Sequence, residues 1–348
     1  MQLKKVAILG HFAFGKDKAN GQTIKTKIIG EALRKEVGKN EVDFFDTMGG
    51  WKFLLKMPLV MIRMLLKHRN IIIMPAYKGI HLITPLIVML NMPFRRKLHY
   101  VVIGGWLPSY VGKYLVLRWA VRKIDMVYVE TQYMFKEMEC KGYQNLRLMP
   151  NFKYIKIMDE ANLKFANTPP FRLCTFSRVM REKGIEDAIQ AVKKCNETLK
   201  QQVFKLDIYG LVQQGQEQWF EQLMSLQPEE IKYCGIVPFD KSTEVLGNYF
   251  ALLFTTRFWT EGFPGTLIDA MSAGVPPIAS DCPSCKEIIV DGQSGLLFPL
   301  GDFEKLADRL MQCARNPSTI NNMRLQCIKK AREYMPEHII KVLSSEIV

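Results

Sequence analysis

Between Asp46 and Asp125 the chain carries no acidic residue, although 13 lysines and arginines fall in the same interval. A field of one sign attracts a polyanion, either anionic lipid or nucleic acid. No nucleic-acid recognition motif and no aromatic–basic platform accompanies it, so nucleic acid is not an expected partner and an anionic membrane surface is. Also missing is any uncharged apolar run of the ~18 residues that a membrane span needs. The longest uncharged run, residues 79–94, is interrupted by His81, Pro85, Asn91 and Pro93. No signal peptide is visible, because MQLKKVAILG passes from charge into a short apolar strand. These absences lead to an expected cytoplasmic location, peripheral on the inner face of the cell membrane. The first strand is followed by neither GxGxxG nor a GK[ST] loop, which excludes the dinucleotide fingerprint and the Walker loop. Of eight cysteines only Cys282 and Cys285 are close in sequence, with no second CxxC and no spaced histidine pair to complete a zinc site. All eight are expected to be reduced thiols.

What is present suits two domains of ordinary size: 348 residues, 48% of them hydrophobic. The net charge of +14 is uneven, since residues 1–160 hold 27 Lys/Arg against 12 Asp/Glu and residues 161–348 hold 21 against 22. In the first half KKVAILG predicts a buried strand, and GQTIKTKIIGEALRKEVG a helix with Ile24, Ile28, Ile29 and Leu33 on one face. EVDFFD, NIIIMPAY, KLHYVVIGG, MVYVET and LRLMPN continue as strands. A second alternation starts at FRLCTFSRV and runs through FKLDIYG, IKYCGIV, YFALLFTT and PPIAS, with helices between. The fold class expected is therefore α/β, with two Rossmann-like domains facing a central cleft. The first should span 1–155, rejoined by a C-terminal helix at 334–348, then a linker at 156–170 and a second domain at 171–333.

Three stretches bear on function. The loop HFAFGKDKANGQTIKTK brings Gly21 to the start of the first helix, where backbone N–H groups suit a phosphate; an ordinary βα loop has the same look. In FSRVMREKGIEDAI, Arg178 and Lys183 flank the end of a strand and could grip a diphosphate, or be two solvated bases. In TEGFPGTLIDAMSAG, a glycine–proline turn separates Glu261 from Asp269, and a helix opens with the amides of Gly265, Thr266 and Leu267 expected to be unpaired. A ligand with a phosphate centre and hydroxyl-rich ends, such as a nucleotide sugar, would satisfy all of these groups. The structural alternative is a buried turn with Asp269 as a helix-stabilising acid.

These stretches, with IKYCGIV, KEIIVDGQSGLLF and LMPNF, resemble the family 4 retaining glycosyltransferases of the GT-B architecture, of the bacterial surface-polysaccharide type. The resemblance implies sugar transfer from a nucleotide-diphosphate sugar to a saccharide acceptor, without metal or other cofactor. It implies Glu261 at the donor sugar, Asp269 at the ribose, and Arg178 with Lys183 at the diphosphate. It also implies Gly265, Thr266, Leu267 and Gly21 as phosphate-contacting backbone. Two positions depart from the family pattern. Asp269 is one methylene shorter than the usual Glu, and Gly104 and Gly105 stand where the family often has a histidine, on the acceptor side. The basic amphipathic stretch WKFLLKMPLVMIRMLLKHRN suggests an acceptor that is lipid-linked, unless its apolar face is simply core. A non-catalytic nucleotide-sugar or polyanion-binding protein on the same fold is the alternative.

Overall fold

The computed structural model describes residues 3–14, 21–48, 50–75, 77, 79–152 and 154–347. The chain divides into two compact units, Met1–Tyr154 with Tyr334–Val348, and Ile155–Glu333.

The first unit alternates β1 (Lys4–Gly10), α1 (Gly21–Val37), β2 (Val42–Asp46), α2 (Gly50–Lys67), β3 (His68–Met74), α3 (Ile80–Asn91), β4 (Lys97–Val101), α4 (Leu107–Lys113), α5 (Leu115–Arg122), β5 (Met126–Val129), α6 (Gln132–Cys140) and β6 (Leu146–Leu148). Its six strands pair in parallel in the order β2-β1-β3-β4-β5-β6. Parallel strands need crossover helices on both faces, and that is why β1 and β3 read as continuous apolar runs. One face is covered by α2 to α6. The other packs Ile28, Ile29 and Leu33 of α1 against Ile339, Ile340 and Leu343 from the C-terminal segment.

The second unit carries β7 (Phe171–Phe176), α7 (Ile185–Thr198), β8 (Phe204–Tyr209), α8 (Glu217–Ser225), β9 (Ile231–Gly235), α9 (Ser242–Leu246), β10 (Ala251–Phe254), α10 (Gly265–Ser272), β11 (Pro277–Ser280), α11 (Pro283–Ile288), β12 (Leu296–Phe298), α12 (Phe303–Arg315) and α13 (Ser318–Arg332), after which α14 (Pro336–Ser344) belongs to the first unit. Its strand order is β12-β11-β10-β7-β8-β9, all parallel. The chain thus starts in the middle at β7, builds outward to β9, and returns to the other side of β7 with β10. The crevice outside the carboxyl ends of β7 and β10 is a topological switch point, the place where ligands of such sheets bind. Arg324 of α13, 1% exposed, fastens this centre from beneath by donating to the carbonyls of Gly274, Tyr249 and Phe250.

Three local expectations are corrected. The amphipathic stretch expected to run to Asn70 ends as a helix at Lys67. His68 opens β3 instead, paired to Lys4, with Nδ1 on the Met64 carbonyl and Nε2 on Asp43. Its apolar residues do not form one face: Met57, Met61, Met64 and Leu65 are buried in the core, while Leu54, Leu55, Leu59 and Leu66 are exposed. The strand expected to reach Gly104 and Gly105 stops at Val101. Beside these corrections, the expected linker makes hydrogen bonds within the second unit, where Met158 N–H donates to Ser272 O and Asn321 Nδ2 donates to Ala166 O.

The first sheet contains a buried pH-sensitive group. His99 on β4 lies between the Tyr128 hydroxyl at 3.1 Å and Asn70 Oδ1 at 3.2 Å. Burial, with the nearby Lys97 charge, pushes its imidazole down to about 4. Because the folded state holds His99 neutral, its stabilising contribution is complete above the unfolded imidazole value of about 6.5 and is lost as pH falls towards about 4. Across that window the loss should be on the order of 3 kcal/mol. Urea unfolding at a series of pH values should show this fall, and His99→Gln should flatten it. An unchanged slope in the variant would assign the acid sensitivity elsewhere.

Candidate functional site

The site assembles where the switch point of the second sheet brings short loops together. After β7 the chain makes a short 3-10 turn at Arg181–Lys183, then turns through Gly184 in the left-handed region at φ 66° before α7. A Cβ on Gly184 would lie 1.9 Å from the Thr255 carbonyl oxygen, so only glycine lets this loop touch the end of β10. Thr255 Oγ1 completes the junction, 2.7 Å from Gly184 O and 3.0 Å from Lys183 O. Arg257 locks it from the side, with its guanidinium bidentate on Asp187 at 2.9 and 2.5 Å and its N–H on Glu182 O.

The consequence is a fixed Lys183. Its Nζ lies 2.5 Å from Glu261 Oε2, and Thr256 Oγ1 donates to the same oxygen at 2.8 Å. The Lys183 ammonium sits 5.5 Å from the ring centroids of both Phe254 and Phe258. Both members of the ion pair are 15% exposed by side chain, partly withdrawn from water yet open to a ligand. In such surroundings each charge depends on the other for the solvation it has lost.

Opposite lies α10. Thr266 Oγ1 donates to Phe176 O at 2.7 Å, which fixes the start of this helix to the end of β7. The helix geometry gives the amides of Gly265 and Thr266 no acceptor within α10. Leu267 is different from the expectation, because its N–H donates to Pro264 O at 3.0 Å and is spent inside the turn. Asp269 lies in the second turn of α10 and is 4% exposed. Arg178 is on the exposed side, with Nη1 donating to Gln213 Oε1 at 3.1 Å.

Next to Thr266 is a cavity of about 210 Å³ lined by Phe176, Ser177, Tyr209, Gly210, Ile236 and Val237. Gly210 permits it: at φ 139° its Cβ would fall 1.8 Å from Ser177 O, so glycine lets the end of β8 close up on β7. Sequence reasoning missed these lining residues. The signal available was the alignment of FSR, IYG and GIV at the ends of three neighbouring strands, which only the strand order makes adjacent.

The remaining expected residues belong to the first unit. Gly21 begins α1 at the end of the β1 loop, and residues 15–20 of that loop lie outside the described residues. Gly104 follows β4 at φ 92°, and its N–H donates to Glu130 Oε2 at 3.0 Å. Glu130 is in turn held at 2.5 Å by Lys25 from α1, in an ion pair with both side chains buried. The Gly104–Gly105 turn is thus held by a carboxylate that accepts its backbone N–H. Among the described residues, no group of three or more His, Cys, Asp or Glu side chains could hold a metal ion.

Comparison with known proteins bears on this geometry. The family profile described as "Glycosyl transferases group 1" matches residues 159–334, half of the chain. The chain belongs to this family. The GtfA subunit of the UDP-N-acetylglucosamine–peptide N-acetylglucosaminyltransferase of Streptococcus pneumoniae is 30% identical over 131 residues, covering 37% of this chain and 25% of that protein. The amylovoran biosynthesis glycosyltransferase AmsK of Erwinia amylovora is 26% identical over 199 residues, covering 55% of this chain and 48% of AmsK. The chain therefore spans half or less of the length of these two curated relatives. Among solved structures, Anabaena HepE in complex with UDP and glucose superposes with a TM-score of 0.75 at 16% identity, covering 99% of both chains. The sucrose-phosphate synthase of Thermosynechococcus elongatus gives 0.74 at 15% identity, covering 99% of this chain and 98% of the synthase. At such identity these likenesses establish a shared two-domain α/β fold.

Proposed function

We propose that this member of glycosyl transferases group 1 is a retaining, metal-independent glycosyltransferase of the family 4 type. In this reading it moves a sugar from a nucleotide-diphosphate sugar to a lipid-linked saccharide acceptor in cell-surface polysaccharide biosynthesis. The observation that carries the reading is the Lys183–Glu261 pair at the switch point, with the start of α10 and the aromatic-edged cavity beside it. A donor fits this arrangement part by part. Its base enters the cavity of Phe176 and Tyr209, its ribose hydroxyls meet Asp269, and its diphosphate meets Lys183, Arg178 and the amides of Gly265 and Thr266. Its sugar hydroxyls take Glu261. The UDP bound by Anabaena HepE supports a uridine nucleotide as the donor class.

The chemistry asked of the protein is electrostatic. As the bond from the sugar to the diphosphate breaks, negative charge builds on the leaving phosphate, and fixed cations and N–H dipoles lower that barrier. Donor binding would exchange the Lys183–Glu261 contact for Lys183–phosphate and Glu261–hydroxyl contacts. The leaving phosphate then helps deprotonate the acceptor on the same face of the sugar, which gives retention. Glu261 orients the sugar in this scheme and forms no bond to it. Glu261→Ala should lower transfer by about 100-fold or more while leaving folded protein. Full activity in that variant would overturn the assignment. Donor binding in the wild type without transfer or donor hydrolysis would favour the non-catalytic reading.

The acceptor side is proposed for the first unit, peripheral on the inner membrane face. What supports it is an exposed apolar surface on three neighbouring helices: Leu55, Leu59 and Leu66 of α2, Leu82 and Met89 of α3, and Leu115 and Trp119 of α5. These lie in the interval that has no acid. Apolar side chains among bases suit the interface of an anionic bilayer. Among the described residues no helix is long and apolar enough to cross a membrane. Sedimentation with phosphatidylglycerol vesicles at low salt should carry the protein down. Leu55→Asp with Leu59→Asp should leave it in the supernatant, as should wild type with phosphatidylcholine vesicles. Wild type that ignores the anionic vesicles would contradict this placement.

A further inference from the structure

The fold brings together two side chains that sugar transfer does not use. Cys282 is the residue immediately before α11, and Cys285 lies in its first turn. Their sulfurs are 3.2 Å apart in a hydrogen bond, and both residues are fully buried. The Ser284 hydroxyl is 3.5 Å from the Cys282 sulfur. The pair opens a helix straight after the parallel strand β11. The two thiols are also unlike. The Cys285 contact, with help from Ser284, holds the Cys282 thiol at about 7 against the effect of burial. The same contact, together with burial, pushes Cys285 well up. One member is therefore poised as a nucleophile and the other as its resolving partner.

The location couples this pair to the ion pair at the switch point. Cys282 lies two residues after Ser280, whose hydroxyl bonds to Phe254 O at 3.4 Å at the end of β10. Lys183 rests over the Phe254 ring. The Glu261 charge acts on both sulfurs, and the Lys183 charge on Cys285.

We propose that Cys282 and Cys285 form a peroxide-oxidisable dithiol whose closure to an intrachain disulfide weakens nucleotide binding at the Lys183–Glu261 site. The Cys282 thiolate attacks one oxygen of a peroxide; the O–O bond breaks, hydroxide leaves, and Cys282 becomes a sulfenic acid. The Cys285 sulfur then attacks the Cys282 sulfur. The S–O bond breaks, and the hydroxyl leaves with the Cys285 proton as water. Two thiols have lost two electrons and two protons, and hydrogen peroxide has become two waters. A small oxidant suits the site because both sulfurs are covered, and local opening around α11 sets the rate.

The binding half of the proposal rests on the donor reading given above; the dithiol half does not. The test uses full-length protein carrying Cys140→Ala and Cys234→Ala, which removes the two exposed thiols. It is reduced, treated with hydrogen peroxide, and quenched. Peptide masses should show the loss of two hydrogens confined to the segment holding Cys282 and Cys285, restored by dithiothreitol. The affinity for UDP should fall about fivefold or more and return on reduction. Adding Cys285→Ala should leave the initial affinity unchanged and abolish both responses. Unreacted thiols, or sulfinic acid at Cys282 without a disulfide, would overturn the dithiol. A disulfide with unchanged UDP affinity would overturn the coupling. If neither redox form binds UDP, the donor reading and the coupling fall together, and the masses alone decide the dithiol.

Discussion

The contact between Lys183 and Glu261 is the constraint around which the second unit is built. Two charges drawn this far out of water must be held together, and almost every special residue nearby serves that end. Gly184 gives up a side chain so that its loop can touch Thr255. Thr255 and Thr256 spend their hydroxyls on the Lys183 loop and on Glu261. Arg257 and Asp187 brace the junction from the flank. The strand order supplies the meeting place, because the chain's return to β10 beside β7 sets two loops far apart in sequence side by side. In the proposed reading, the pair keeps a cation and a carboxylate ready for a ligand that brings its own anion and its own hydroxyls.

Much of this was legible in the residues. The two strand–helix alternations were clear because parallel strands, buried on both faces, show as plain apolar runs such as VAILG and ALLF. The candidate residues Arg178, Lys183, Glu261, Gly265, Thr266 and Asp269 could be picked out because turns and helix starts have local chemistry. What stayed hidden depends on contacts between distant segments. Nothing in EGFPGTL says that the Leu267 amide bonds back to Pro264. No local pattern could join FSR, IYG and GIV into one cavity, since that needs the order of β7, β8 and β9. The helical repeat of α2 was visible, but not which apolar residues the core would claim: methionines turned inward while Leu55 and Leu59 stayed outside.

The two units divide their chemistry. The second gathers hydrogen-bonded, partly buried polar groups, suited to a small polar ligand held by many short contacts. The first holds the excess of positive charge and the exposed leucines of α2, suited to a broad anionic surface. Its buried polar groups, Lys25 with Glu130 and His99 with Asn70 and Tyr128, are enclosed in pairs and networks that hold its own strands and the Gly104 turn in place. The proposed transfer from a soluble donor to a surface-bound acceptor calls for these two kinds of surface.

The central claim is that Lys183 is held by Glu261 until a diphosphate takes it. Titration of UDP into wild type and into Glu261→Gln tests this most directly, because UDP has a diphosphate but lacks the transferable sugar that Glu261 would hold. Removing the carboxylate charge frees the ammonium for phosphate, so UDP should bind the variant severalfold more tightly than it binds wild type. Equal or weaker binding by the variant would contradict the account.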